Sequence, residues 1–197
     1  MMLRRNFLTT SICAGLTLPA VPAFALTESG ARGLVTDLVE DINGVIASGK
    51  SENAMFRDFE RIFARYSDTS YISAYAMGVD GRRASSSQKK SFSKAFQGYI
   101  SRKYGRRFRE FIGGRLEIKN VKAVKNWYEV STTAFLRGQS PFEVTFHVSD
   151  RTGKDLFFNM FIEGINLLLT ERTEVGALLD RNRGRIDKMI ADLKQQS

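Results

Sequence analysis

A chain of 197 residues with a formal charge of +9 can bury one sizeable hydrophobic core. Its single cysteine, Cys13, excludes intramolecular disulfides and cysteine metal sites, and its single histidine, His147, is the only anchor for a histidine-dependent triad or zinc centre. Past the amino terminus no apolar run approaches the roughly 18 to 20 residues that span a bilayer, and the basic balance points to anionic surfaces or acidic partners.

At the amino terminus Arg4 and Arg5 precede an uncharged stretch from Asn6 to Pro22, then Ala23-Phe24-Ala25, a small-x-small cleavage signal. The expectation is a cleaved export signal over residues 1–25, twin-arginine-like because Arg4-Arg5-Asn6-Phe7-Leu8 has that pattern. A single domain over 26–197 follows, delivered to the periplasm, where it meets no nucleic acid. Cys13 falls inside the leader behind Ile12, so the processed chain has no thiol.

Leu34, Leu38, Ile42 and Val45 repeat at helical spacing, with Val35, Val39 and Ile46 beside them and Asp37, Glu40 and Asp41 on the wet side. Gly49 ends this helix and Ser51 caps the next, whose stripe is Phe56, Phe59, Ile62, Phe63 and Tyr66. A short apolar segment runs from Asp68 to Met77, and Gly78 to Ser87 reads as a loop. From Ser87 the longest helix carries Phe92, Phe96, Tyr99, Ile100, Tyr104, Phe108, Phe111 and Ile112 until Gly113-Gly114 stops it.

The period then changes to that of strands. Leu116–Ile118, Tyr128–Thr132, Phe142–Val148 and the run Lys154–Leu167 give four, separated by turn-forming clusters that favour an antiparallel meander. Helix returns with Val175, Leu178 and Leu179, and after Gly184 with Ile186, Met189, Ile190 and Leu193. The predicted fold is α+β: a four-stranded, mainly antiparallel curved sheet packed with helices.

The last strand is greasy on both faces. Strict alternation puts Leu156, Phe158, Met160 and Ile162 on one side and Phe157 and Phe161 with Asn159 on the other. Something apolar must cover each side, either packed helices or an apolar ligand in a cavity.

Enzymatic chemistry finds little support. Gly44-Val45-Ile46-Ala47-Ser48-Gly49-Lys50-Ser51 matches the phosphate-cradling P-loop pattern, but that motif needs a strand before it and here a helical period precedes it, so a helix-turn-helix corner is expected. His147 alternates with Glu143, Thr145 and Ser149, which predicts an exposed or capping histidine rather than a catalytic one. No catalytic residue, cofactor or metal site is predicted. Arg102, Lys103, Arg106, Arg107, Arg109 and Arg115 form a basic block beside the aromatic stripe, which suits an anionic amphiphile with its phosphate at a cavity mouth, or an anionic lipid surface.

Taken together, three segments carry a family resemblance: Gln88 to Phe96 followed by Tyr99 and Tyr104; Trp127-Tyr128-Glu129-Val130; and Phe161-Ile162-Glu163-Gly164-Ile165-Asn166-Leu167 with Arg172 five residues on. Their order resembles the MlaC family of periplasmic phospholipid shuttles over nearly the whole chain after the leader. Departures are the missing Tyr-Asp pair around Asn159 to Phe161, Asn166 in place of serine, and the lack of an aromatic after Met77-Gly78. The resemblance implies a monomeric, non-enzymatic carrier whose cavity holds acyl chains and leaves the headgroup at the rim. It also implies an outer-membrane lipoprotein complex and an inner-membrane ABC transporter with a lipid-binding ring as partners. The candidate lining is Tyr128, Val130, Val144, Phe146, Phe158, Met160 and Ile162 from the sheet, with Phe92, Phe96, Tyr99, Ile100 and Tyr104 from the long helix. Arg102, Arg106 and Arg107 are the candidates for headgroup contact or docking. The alternative is an extracytoplasmic protein-binding module or chaperone that uses the same groove for client peptides.

Overall fold

A computed structural model describes residues 26–107 and 114–196. Helices α1 (Glu28–Ala47), α2 (Glu52–Tyr66), α3 (Thr69–Met77) and α4 (Ser86–Arg107) precede strands β1 (Arg115–Val124), β2 (Trp127–Phe135), β3 (Phe142–Ser149), β4 (Leu156–Ile162) and β5 (Ile165–Asn166). Helices α5 (Leu167–Arg181) and α6 (Ile186–Gln195) complete the α+β chain. Phe108, Phe111, Ile112 and Gly113, expected to finish the long helix, lie outside the described residues.

Local chemistry sets the helix boundaries. Thr27 caps α1 by accepting from the Gly30 amide, Asp68 caps α3 by accepting from the Tyr71 amide, and Asn166 caps α5 by accepting from the Leu169 amide. The segment matching the P-loop pattern is a corner between two helices: α1 continues through Ala47, Gly49 turns the chain at a φ of 64°, and Ser51 opens α2. The expected loop after Met77 contains a short 3-10 helix over Gly78–Arg82.

The strands form one antiparallel sheet in the order β1-β2-β3-β4-β5. Sequence reasoning counts four strands because it treats Lys154–Leu167 as one run. In the structure Glu163 and Gly164 both have positive φ, 49° and 78°, so the chain reverses and Ile165–Asn166 pairs back onto β4. Alternation along β2 buries Val130, Thr132 and Ala134, and along β3 Val144, Phe146 and Val148, against the helices. Fully buried Thr132 is satisfied by donating to the Val144 carbonyl at 2.8 Å.

Helix α1 packs on β1, β2 and β3, α5 on β4, and α2 and α6 both on α4. The α2–α4 approach is close because Gly105 has no side chain: a Cβ there would lie 2.9 Å from the Phe56 ring. Arg172, which belongs to one of the segments that carry the family resemblance, meets the end of α3. The Arg172 guanidinium stacks over the Tyr75 ring, 5.1 Å from its centroid, and reaches 3.3 Å from the position a Cβ would take on Gly78.

Candidate functional site: an apolar cavity between helices and sheet

The helices do not close completely on the sheet. A cavity of about 480 Å³ remains, within the range of about 300 to 1,000 Å³ common for organic-ligand sites. Helical periodicity places its walls. Leu38 and Ile42 face it from α1, Phe59, Ile62 and Phe63 from α2, Ile72 from α3, and Phe96, Ile100 and Tyr104 from successive turns of α4. Leu116, Phe142, Val144, Phe146, Phe157, Met160 and Ile162 supply the sheet wall, and Leu167 and Leu168 the start of α5.

Of the twelve lining residues expected from sequence, Phe96, Ile100, Tyr104, Val144, Phe146, Phe158, Met160 and Ile162 lie at this wall. The other four are not among its lining residues. Phe92 is buried and stacks on Phe96 at 5.5 Å, Val130 is fully buried opposite Phe146, Tyr128 pairs with Val148, and Tyr99 turns its hydroxyl to Glu174. Leu38, Ile42, Phe59 and Phe63 were legible as helix stripes, but periodicity alone does not separate a residue that fills a core from one that faces a hollow.

Strict alternation misplaces one end of β4. The strand pairs run His147–Asn159 and then Val148–Phe157, so Phe158 is an extra residue, a β-bulge. The phase therefore flips: Phe157, not Leu156, shares the cavity face with Met160 and Ile162, and its ring packs edge-on against Phe146 and against Phe63. The Phe158 ring meets Tyr71, Trp127 and the Arg151 guanidinium.

The same aromatic supply corrects the expectation for His147. Its ring lies 4.1 Å from Trp127 and 4.8 Å from Phe161, and only 12% of its side chain is exposed. Trp127 and Phe161 arrive from the neighbouring strands, which the pattern of β3 alone does not reveal. Burial pushes the imidazole below its ordinary value, and Glu129 at 3.7 Å only partly opposes this.

Polar groups gather where α4 faces α5. Lys103 donates to Glu171 Oε1 at 2.7 Å and to Glu174 Oε2 at 2.6 Å, while Tyr104 donates its hydroxyl to Glu171 Oε1 at 2.5 Å. Glu171 belongs to the cavity wall and is 97% buried, since its exposure is 3%. Burial drives the Tyr99 phenol above its ordinary range, and donation to Glu174 adds to this. Burial pushes Glu174 upward too, but hydrogen bonds from Lys103 and Tyr99 outweigh it and hold the carboxyl below its ordinary value.

Arg102 points elsewhere. Its guanidinium donates to the carbonyls of Leu193, Lys194 and Gln196, which closes the end of α6. The side chains of Arg106 and Arg107 lie outside the described residues. Among the described residues no helix is long and apolar enough to cross a membrane, and no group of three histidine, aspartate or glutamate side chains is gathered as a metal site.

Comparison with known proteins adds two findings. The family model described as MlaC protein matches residues 34–195. Among solved structures, the phospholipid-binding protein of Ralstonia solanacearum, determined in complex with a phospholipid, superposes with a TM-score of 0.73 at 17% identity, covering 84% of this chain and 96% of that one. The fold is thus shared.

Proposed function

Since the chain belongs to the MlaC family, we propose that it is a periplasmic phospholipid carrier. It holds acyl chains in the cavity between helices and sheet and moves lipid between an outer-membrane lipoprotein complex and an inner-membrane ABC transporter with a lipid-binding ring. The observation that carries this reading is the apolar hollow of about 480 Å³, walled by aromatic and aliphatic side chains from eight elements.

The physical need for such a wall is large. Two acyl chains carry about 30 methylene groups, each worth roughly 0.8 kcal/mol on burial, so a free lipid faces a gross penalty near 20 kcal/mol in water. A carrier replaces bilayer hydrocarbon with its own apolar side chains. Bilayer and cavity are then similar solvents for the tails, transfer between them is nearly neutral, and direction comes from the partners. No bond in the cargo is made or broken. The headgroup stays at the rim, where Lys103 is 29% exposed beside the wall residues Tyr104 and Glu171.

The test is extraction of the protein purified from the periplasm, followed by mass spectrometry. Phospholipid in a fixed ratio to protein is the expected result. A cavity free of lipid, in a protein that instead binds unfolded peptide, would overturn the carrier reading in favour of a chaperone.

A further inference from the structure

The expected scissile bond of the export leader falls immediately before Leu26. The backbone nitrogen of Leu26 lies 2.9 Å from Asp150 Oδ2, in the loop between β3 and β4 and 124 residues away in sequence. In the unprocessed chain that nitrogen is a neutral amide. Hydrolysis of the Ala25–Leu26 peptide bond adds water across it, leaving a carboxylate on the leader and a primary amine on Leu26, which takes a proton near neutral pH because α-amino groups have ordinary values of about 7.7 to 8.0.

We propose that Asp150, backed by Asp155, is a built receptor for the new α-ammonium of Leu26, so that leader removal converts a neutral hydrogen bond into an ion pair that pins the first helix to the β3–β4 loop. Three observations support the placement. Leu26 is half-buried and packs against the hydrophobic core, so its nitrogen is held in position. Thr27 next to it is the N-cap of α1, and a positive charge at a helix amino terminus is disfavoured by the helix dipole unless an anion stands beside it. Asp155 extends the acidic pair along the same helix start, its Oδ2 lying 2.9 Å from the position a Cβ would take on Gly30. Burial and the charge of Asp150 push the Asp155 carboxyl above its ordinary value, a penalty that an arriving cation relieves. Arg151, which follows Asp150 in sequence, is committed to the rings of Tyr71 and Phe158.

This inference rests on the leader being cleaved after Ala25 and is independent of what the cavity carries. Amino-terminal sequencing of the exported protein is expected to read Leu26 first. A different first residue overturns both the cleavage position and the receptor. The pairing itself is measured by comparing Asp150→Asn in two otherwise identical chains, one starting at Leu26 and one retaining Phe24 and Ala25 ahead of it. The substitution should lower the folding equilibrium constant roughly fivefold more in the chain that starts at Leu26, a factor suited to a half-exposed ion pair. Equal losses in the two chains overturn the receptor while leaving the cleavage reading intact. A second readout needs no stability comparison: reductive methylation of the Leu26 amine at neutral pH should be severalfold slower than in Asp150→Asn, and equal rates overturn the pairing.

Discussion

The ring of Phe157 meets the ring of Phe146 edge-on, with 5.9 Å between centroids and 70° between planes. The contact exists because Phe158 is an inserted residue, which turns Phe157 toward the helices. Phe157→Ala should therefore cost about 3 kcal/mol or more, as for other large core truncations, while Leu156→Ala should cost much less. Chemical denaturation of the two variants checks this, and the reverse order would place Leu156 on the cavity face.

The wall residue Met160 pairs across the sheet with Phe146. Met160→Glu sets a carboxylate against hydrocarbon, and an unpaired charge there is strongly disfavoured. Co-purified phospholipid per chain should fall close to zero while the far-ultraviolet circular dichroism stays native-like. Glu143→Gln, at an exposed position of the same strand pair, should keep the full lipid load.

Glu171 is buried with Lys103 and Tyr104 as donors to Oε1 and with no partner for Oε2 among the described residues. Tyr104→Phe should cost about 1 to 3 kcal/mol, because a buried carboxylate loses a donor. Lys103→Met should cost roughly 2 kcal/mol, less than a fully buried pair because solvent screens the ammonium. Thermal unfolding of both single variants and the double variant gives the coupling, and additive losses would show that the two donors act separately.

The Glu174 carboxyl lies below its ordinary value of 4.5, so its contribution is present above that pH and is lost as pH falls through the lower folded value. In Tyr99→Phe that acid-side loss should shrink, since one of the hydrogen bonds that hold Glu174 ionised is gone. Unfolding midpoints between pH 3 and 6, a range of about one unit or more either side of the ordinary glutamate value, provide the check.

For His147 the folded value lies below the ordinary 6.5 because of burial. The unfolded chain therefore takes up the proton first, and stability contributed by the neutral ring is present above about 6.5 and lost as pH falls through the folded value. His147→Phe should flatten that part of the stability curve and leave lipid content unchanged, because His147 is not among the cavity-lining residues. An unaltered curve would mean that the ring titrates freely.

Sequence periodicity carried the α+β class, the helix stripes and the meander, because each element repeats its own pattern within a few turns. What it missed depends on neighbours. The bulge at Phe158 arises from pairing with β3, the burial of His147 from Trp127 and Phe161 on flanking strands, and the fifth strand from positive φ at Glu163 as well as Gly164. Eight of the twelve expected lining residues lie at the wall, and Phe92, Tyr99, Tyr128 and Val130 do not. Arg102 shows the same limit in electrostatics, since a basic block in sequence says nothing about the carbonyls that α6 brings to it.

The wall of the cavity is drawn from Leu38 near one end of the chain to Leu168 and Glu171 near the other. A polypeptide still emerging lacks the last panels of that enclosure, so it owns no sheltered interior until α5 has returned to the sheet. On the carrier reading, cargo is then taken up by a finished molecule, and a chain truncated before α5 should leave any lipid it meets in the membrane.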